Sequence, residues 1–203
     1  MKNMNVYKVI QRIPENANII SSRWIFKYKR DSNGNIAKRK ARLVARGFTQ
    51  IYGIDYKDTF SPTLKHDSIR IITAIAVRKN FIIKQININS AYLNAKLNEN
   101  IYMNIPEGHP LFVKRYFRKL EKALYGLKQS DKEWNNKLNE ELLKINFTKL
   151  KSDPCIYVKF NMNNNIECML AVYVDDILIA GIPSEVEKTK GMIKNKYNIK
   201  NNY

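Results

Sequence analysis

Met169-Leu170-Ala171-Val172-Tyr173-Val174-Asp175-Asp176-Ile177-Leu178-Ile179-Ala180 is the stretch whose reading decides the fold. Two short apolar runs, Met169 to Val174 and Ile177 to Ala180, stand on either side of a pair of adjacent aspartates. Apolar runs of this length read as buried strands. Joined by a tight turn, they make a hairpin with carboxylates at its tip. Taken alone, two aspartates in a turn also fit ordinary turn chemistry, because Asp side chains bond their own backbone there. The surrounding segments decide between these readings.

Just downstream, Ser184-Glu185-Val186-Glu187 fits a capping box, and Val186, Thr189, Ile193 and Tyr197 make the inner stripe of the helix it opens. The Asn161 to Asn165 tract reads as a polar loop between strands. Further upstream, Trp134, Leu138 and Leu142 recur at i+4, which predicts an amphipathic helix over Ser130 to Asn146. Phe81 to Ile88 reads as a strand with Ile86 and Ile88 on one side and Asn87 on the other. Asp67 is placed to cap a helix through Ile69, Ile72, Ile75 and Ala76, ending near Lys79-Asn80. Trp24, Phe26 and Tyr28 alternate with Ile25, Lys27 and Lys29, the period of a half-buried strand. Asn33-Gly34 then supplies a strong hairpin-turn signal. The return arm carries Arg42, Val44 and Arg46 on one face and Ala41, Leu43 and Ala45 on the other.

The chain has 203 residues, a hydrophobic content of 44% and a formal charge of +18. That length and composition suit one well-packed domain, or one large domain with a small appendage. Charge is dense from Lys27 to Arg46 and again from Lys114 to Lys128. Clustered Lys and Arg fit a phosphate-rich partner, although overuse of Lys, Asn and Ile also fits an AT-rich gene. No apolar run approaches the roughly 18 residues of a membrane span. The first residues lack the apolar core of a secretory signal, so an intracellular protein is expected. Cys155 and Cys168 lack metal or redox spacing and read as small buried hydrophobes. His66 and His109 stand alone in the sequence and receive no metal role.

With the carboxylate hairpin in place, the chain resembles the reverse transcriptase of copia-type retrotransposons. The segments that carry the resemblance begin with Arg23-Trp24-Ile25-Phe26-Lys27, Ala41-Arg42-Leu43-Val44-Ala45-Arg46-Gly47-Phe48-Thr49-Gln50 and Gly53-Ile54-Asp55-Tyr56. Thr59-Phe60-Ser61-Pro62, Ala123-Leu124-Tyr125-Gly126-Leu127-Lys128-Gln129, Ser152-Asp153-Pro154 and Tyr173-Val174-Asp175-Asp176 follow in the same order. The resemblance implies an α+β, right-hand polymerase fold of palm and fingers, with an antiparallel palm sheet backed by helices and the thumb missing. Residues 1 to about 80 would be largely fingers. Residues from about 81 to 203 would be largely palm, with some fingers segments interleaved.

The implied chemistry is RNA-directed DNA synthesis by two-metal nucleotidyl transfer onto a primer 3′-hydroxyl. Two Mg²⁺ ions would be held by Asp175 and Asp176. Tyr92 would stack under the incoming sugar and exclude a 2′-hydroxyl; read by itself it also fits a core aromatic. Arg42 would grip the triphosphate, a task that suits a planar fork; read by itself it also fits a solvated strand charge. Tyr125 and Gly126 would pass under the nascent base pair. The implied partners are an RNA or DNA template-primer, deoxynucleoside triphosphates and other parts of a Pol polyprotein, with no membrane. The implied location is a cytoplasmic virus-like particle.

The sequence departs from the family where a third metal ligand is expected. Gln85-Ile86-Asn87-Ile88-Asn89-Ser90-Ala91-Tyr92-Leu93 places Asn87 at the aspartate position. Two unit charges about 4 Å apart at an effective dielectric near 20 interact by roughly 4 kcal/mol. Losing that much transition-state stabilisation slows a reaction about a thousandfold. Asp131, where the family has proline, is a second departure. Weak or absent turnover is therefore expected, and a non-catalytic nucleic-acid-binding remnant is the alternative. The family pattern continues beyond Tyr203 into a thumb and RNase H and has a protease and integrase upstream. A fragmentary or decayed reading frame is expected on that ground.

Overall fold

In the computed structural model, the described residues are 4–112 and 116–202. Part of the basic stretch that begins at Lys114 lies outside them. The chain divides into two compact units, each built from two separate sequence segments. One comprises Met1–Thr59 and Tyr92–Glu133, the other Phe60–Ala91 and Trp134–Tyr203. The architecture is mixed α and β, with sheets and three helices. No helix among the described residues is long and apolar enough to cross a membrane.

The first unit holds β1 (Tyr7–Ile10), β2 (Ile19–Ile20), β3 (Ser22–Arg30), β4 (Ile36–Ala45), β6 (Lys96–Asn104) and β7 (Phe117–Lys122). Four of these form a sheet in the order β1-β7-β6-β2, and β2 runs parallel to β6. Val6, Ile20, Leu43, Ala45, Ile101, Met103, Leu120 and Leu124 make its core. Among the described residues, strands β3 and β4 pair only with each other. Their turn is closed by Asp31, whose side chain accepts the backbone N–H groups of Asn33 and Asn35, both at 2.9 Å. Gly34 takes φ +84°, a conformation open to it without steric cost.

The hairpin from Trp24 to Arg46 thus forms as expected, but its burial differs. Phe26 is 75% exposed and Tyr28 59%. Alternation predicts a half-buried strand only when something lies over the apolar face. Only the root of the return arm is buried, at Leu43 and Ala45.

In the second unit, six strands order as β12-β5-β11-β10-β9-β8. They are β5 (Ile82–Ile88), β8 (Thr148–Lys149), β9 (Ile156–Phe160), β10 (Ile166–Tyr173), β11 (Asp176–Gly181) and β12 (Ile199–Asn202). Every adjacent pair in this sheet is antiparallel. Helices α1 (His66–Arg78) and α3 (Pro183–Lys196) pack against β10 and β11. The unit boundary falls inside α2 (Ser130–Lys144). Trp134, Leu138 and Leu142 of α2 are all buried, on the i+4 stripe the sequence predicts. Cys155 and Cys168 are buried too, and burial first of all pushes each thiol up to about 11.

Two helix starts differ from expectation. Asp67 sits inside the first turn of α1 and bonds Arg70, while Lys65 occupies the cap position. Asp153 ties the start of this helix to a distant segment: its Oδ2 accepts the Lys65 N–H at 3.2 Å and the Ser68 hydroxyl at 2.6 Å. Burial pushes this carboxyl up, but the bonds from Ser68, Cys155 and Lys65 outweigh it and hold it below its ordinary value. Likewise, α3 opens at Pro183 with Ile182 as its cap, so Ser184 is already within the helix. Proline suits a first helical position because the N–H it lacks would have no helical partner.

Candidate active site

Antiparallel pairing sets Asn87 of β5 directly opposite Asp176 of β11. The Asn87 amide donates to Asp176 Oδ1 at 3.0 Å. Asp175 is the next residue along, in the turn between β10 and β11, and Tyr173 pairs across that turn with Asp176. Asn87, Asp175 and Asp176 are all partly exposed, whereas the strands beneath them are buried at Ile86, Val172 and Ile177. Rigid apolar strands thus present three polar side chains at one end of a sheet.

The turn itself is unusual. Val174 has φ 55°, and Asp175 is not among the described residues with positive φ. Positive φ at the first central residue alone is the pattern of a type II′ hairpin turn. A β-branched residue is a poor occupant of that region, and such strain costs on the order of 1–3 kcal/mol. Two neighbouring carbonyls are held in compensation. Val174 O accepts the Trp134 indole N–H at 2.7 Å, and Asp175 O accepts the Ile88 N–H at 2.7 Å.

A hard divalent cation needs oxygen donors, preferably charged ones. The adjacent carboxylates of Asp175 and Asp176 fit that need. Asn87 adds an uncharged amide whose N–H is bonded to Asp176; its oxygen can still coordinate, but weakly and without charge, so the trio offers two negative charges rather than three. Among the described residues, no group of three His, Cys, Asp or Glu side chains is placed to hold a metal ion.

The remaining site residues picked out from sequence lie together in the first unit. Arg42 on β4 is exposed, and its guanidinium carbon sits 5.0 Å from the centre of the Tyr125 ring. Tyr92 meets Tyr125 edge-on at 4.7 Å between ring centres. The Tyr92 hydroxyl donates to Asp131 in the first turn of α2. Gly126, at φ +91°, is required by close approach. A Cβ there would lie 2.2 Å from the Ala45 carbonyl oxygen, while Tyr125 O accepts the Ala45 N–H at 2.8 Å.

Under this loop runs a buried polar network that the motif reading left without a role. Gln129 Nε2 donates to Asp55 O at 2.7 Å, and Gln50 Nε2 donates to Gln129 Oε1 at 3.0 Å. Gln50 Oε1 accepts the Lys128 N–H at 2.7 Å. Asp55, 1% exposed, accepts from Asn18 and from the Ile51 N–H. Buried amides this fully bonded fix a loop by geometry rather than by hydrophobic area. Nearby, Glu133 accepts from Asn98, and burial first, then the Glu99 charge, pushes its carboxyl up. Two other contacts were out of reach of sequence patterns. The Asp131–Tyr92 bond was foreshadowed only by the departure from proline, and the Trp134 indole bond by nothing except the ring's apolar periodicity.

A family model described as "Reverse transcriptase (RNA-dependent DNA polymerase)" matches residues 4–202. The Retrovirus-related Pol polyprotein from transposon TNT 1-94 of Nicotiana tabacum is 38% identical over 197 residues, covering 96% of this chain and 15% of that protein. The Retrovirus-related Pol polyprotein from transposon RE1 of Arabidopsis thaliana is 40% identical over 192 residues, covering 92% of this chain and 13% of its own length. The Transposon Ty1-ER2 Gag-Pol polyprotein of Saccharomyces cerevisiae is 31% identical over 167 residues, 79% of this chain and 8% of that protein. The chain therefore spans less than a sixth of each of these relatives.

Proposed function

The chain belongs to the reverse transcriptase (RNA-dependent DNA polymerase) family, and from that premise we propose that it is the palm and fingers of a copia-type Pol polyprotein, with its turnover impaired at position 87. In this reading the residues up to about 80 are largely fingers and those beyond are largely palm, with fingers segments such as the Tyr125 loop interleaved. The substrates are deoxynucleoside triphosphates and an RNA or DNA template-primer, within the cytoplasmic particle of the element.

Each side chain has a task that follows from its chemistry. Arg42 offers a planar donor fork to triphosphate oxygens, and the Tyr125 ring beneath it limits the directions that fork can take. Tyr92, held by Tyr125 and Asp131, presents a ring that excludes a 2′-hydroxyl. Gly126 lets its loop lie against β4 where any side chain would collide. Asp175 and Asp176 are the residues that would hold Mg²⁺. When bound, the metal supplies Lewis acidity at the primer 3′-hydroxyl and neutralises the leaving pyrophosphate.

The observation that carries the impairment is the amide of Asn87 bonded to Asp176 at 3.0 Å. A neutral N–H donor stands where a third carboxylate would add charge. Primer extension on an RNA template with Mg²⁺ tests this by comparing the chain with Asn87→Asp. The expected result is little or no synthesis by the parent and a gain of about a thousandfold for the variant, from the loss of roughly 4 kcal/mol of charge stabilisation. Robust synthesis by the parent would overturn the impairment. The same Asn87–Asp176 bond favours a second reading, a nucleic-acid-binding remnant without catalysis. Steeply salt-dependent duplex binding that ignores Mg²⁺, with no synthesis by either form, is the outcome that selects it.

A further inference from the structure

The turn that presents Asp175 and Asp176 holds a β-branched residue in the left-handed region, Val174 at φ 55°. Such a conformation persists only where its surroundings over-determine it. On one side, Ile88 of β5 donates its N–H to Asp175 O at 2.7 Å, a continuation of sheet pairing. On the other, Trp134 is the side-chain donor at a turn carbonyl among the described residues, and its Nε1 reaches Val174 O at 2.7 Å.

Trp134 is 2% exposed and stands edge-on to Tyr197, 5.4 Å between ring centres. Its apolar body fills the core between α2 and the tip of the sheet, work that phenylalanine could do nearly as well. The N–H is its single hydrogen-bonding group, and it is spent on the turn. The Val174 carbonyl belongs to the peptide that leads into Asp175, so the indole bond opposes rotation of that peptide.

Building on the proposed metal role of the aspartates, we infer that Trp134 is a positioning residue that holds the Val174–Asp175 peptide in the left-handed turn aligning the two carboxylates. It touches neither substrate nor metal; it acts through the backbone of the turn.

Trp134→Phe, made in the whole chain, keeps the ring and removes the N–H. Amide hydrogen exchange across residues 173–176 should accelerate about tenfold, the expected scale for losing one buried hydrogen bond. Exchange in β9 should stay unchanged, and Mn²⁺ affinity read by electron paramagnetic resonance should weaken about five- to tenfold. A residue that merely fills the core would instead lower global stability, raise exchange throughout the sheet and leave Mn²⁺ affinity alone; that pattern overturns the inference. A second measurement covers a variant that folds poorly. Val174→Gly relaxes the turn and should move the Trp134 indole NMR resonance, identified by its survival in Trp24→Phe, while leaving that of Trp24 in place. An unmoved Trp134 resonance would equally overturn the inference. Asp175→Asn with Asp176→Asn provides the reference for Mn²⁺. If that pair of changes leaves Mn²⁺ affinity intact, the metal reading of the aspartates fails. The exchange and resonance data then decide the Trp134 inference by themselves.

Discussion

Two hairpins of similar local design meet opposite fates in this chain. The β3–β4 hairpin stands exposed over most of its length, with Trp24 and Phe26 stacked 6.3 Å apart on its surface. The β10–β11 hairpin is walled by β9 and β5, and Leu170, Ile177 and Ile179 are fully buried. Charge follows the same division. Across the first hairpin Lys27 faces Lys40 and Lys29 faces Lys38. In the second unit, lysines meet carboxylates: Lys159 with Glu185 at 2.7 Å, and Lys137, Lys144 and Lys196 around Glu141. Facing like charges destabilise a strand pair, so these positions lower the stability of a hairpin that nonetheless pairs along its length. The second is built to keep two carboxylates still. Strand pattern makes a hairpin; the neighbours decide how much of it is buried.

The largest expected effect lies in packing. Leu170→Ala should cost about 2–5 kcal/mol, the range for a buried leucine whose cavity cannot fully collapse. Phe26→Ala, at 75% exposure, should stay within about 0.5 kcal/mol. Urea denaturation of both variants reads this directly, and comparable losses would mean that the first hairpin is packed after all. Next comes nucleic-acid affinity. Replacing Lys27, Lys29 and Lys38 with Ala together should flatten the slope of log affinity against log salt for duplex binding. Each lost phosphate contact contributes about 0.9 to that slope. Lys159→Ala, which removes a paired lysine, should leave it unchanged. Fluorescence anisotropy across salt concentrations distinguishes the two, and equal slopes in both variants would dissolve the contrast in charge.

A third effect separates the units by pH. Hydrogen bonding from Lys196 first, then from Lys137, holds the Glu141 carboxyl down at about 2, against an ordinary 4.5. A carboxyl with a depressed folded pKa stabilises the fold above its unfolded value, and that contribution disappears as pH falls through the folded one. Stability should therefore decline between about 4.5 and about 2, and Glu141→Gln should flatten that limb while lowering stability at neutral pH. Thermal melts at several pH values check it; an unchanged acid limb would remove Glu141 as its cause. The smallest effect belongs to the exposed turn. Gly34→Ala forces an alanine into φ +84°, at a cost of about 1–2 kcal/mol. Because the turn is exposed and lies outside the buried cores, the change should appear as roughly fivefold or greater faster amide exchange at residues 31–35 with little shift in global melting.

What could be read from sequence was what local chemistry determines. The Asn33-Gly34 turn, the Trp134-Leu138-Leu142 stripe and the apolar runs around Asp175 each carry their own signal within a few residues. The departures at α1 and on the first hairpin turn on what lies far along the chain, whereas that at α3 is local: Pro183 takes the first helical position ahead of Ser184. Asp67 precedes an apolar stripe as a cap would, yet it lies inside the first turn, and the Ser68 hydroxyl beside it bonds Asp153, 85 residues away. Trp24, Phe26 and Tyr28 alternate like a buried face, but among the described residues no second layer covers them. At the site, the identity of Asn87 was visible, while its place opposite Asp176 depends on pairing between strands about 90 residues apart. The Trp134 indole bond leaves no trace in periodicity, since any large apolar ring would preserve the stripe.

The interleaved segments also set a schedule for synthesis. Strand β5 takes both of its sheet neighbours, β11 and β12, from the last third of the chain. At about 5–20 residues per second, a ribosome would hold the finished β5 unpaired for roughly 5–20 s before β11 was made. Its two open edges would wait through that interval as templates for any passing strand. Only the arrival of the carboxylate-bearing hairpin closes the first of them. The segment that presents the aspartates is thus also the one whose emergence ends the nascent chain's period of greatest exposure to aggregation.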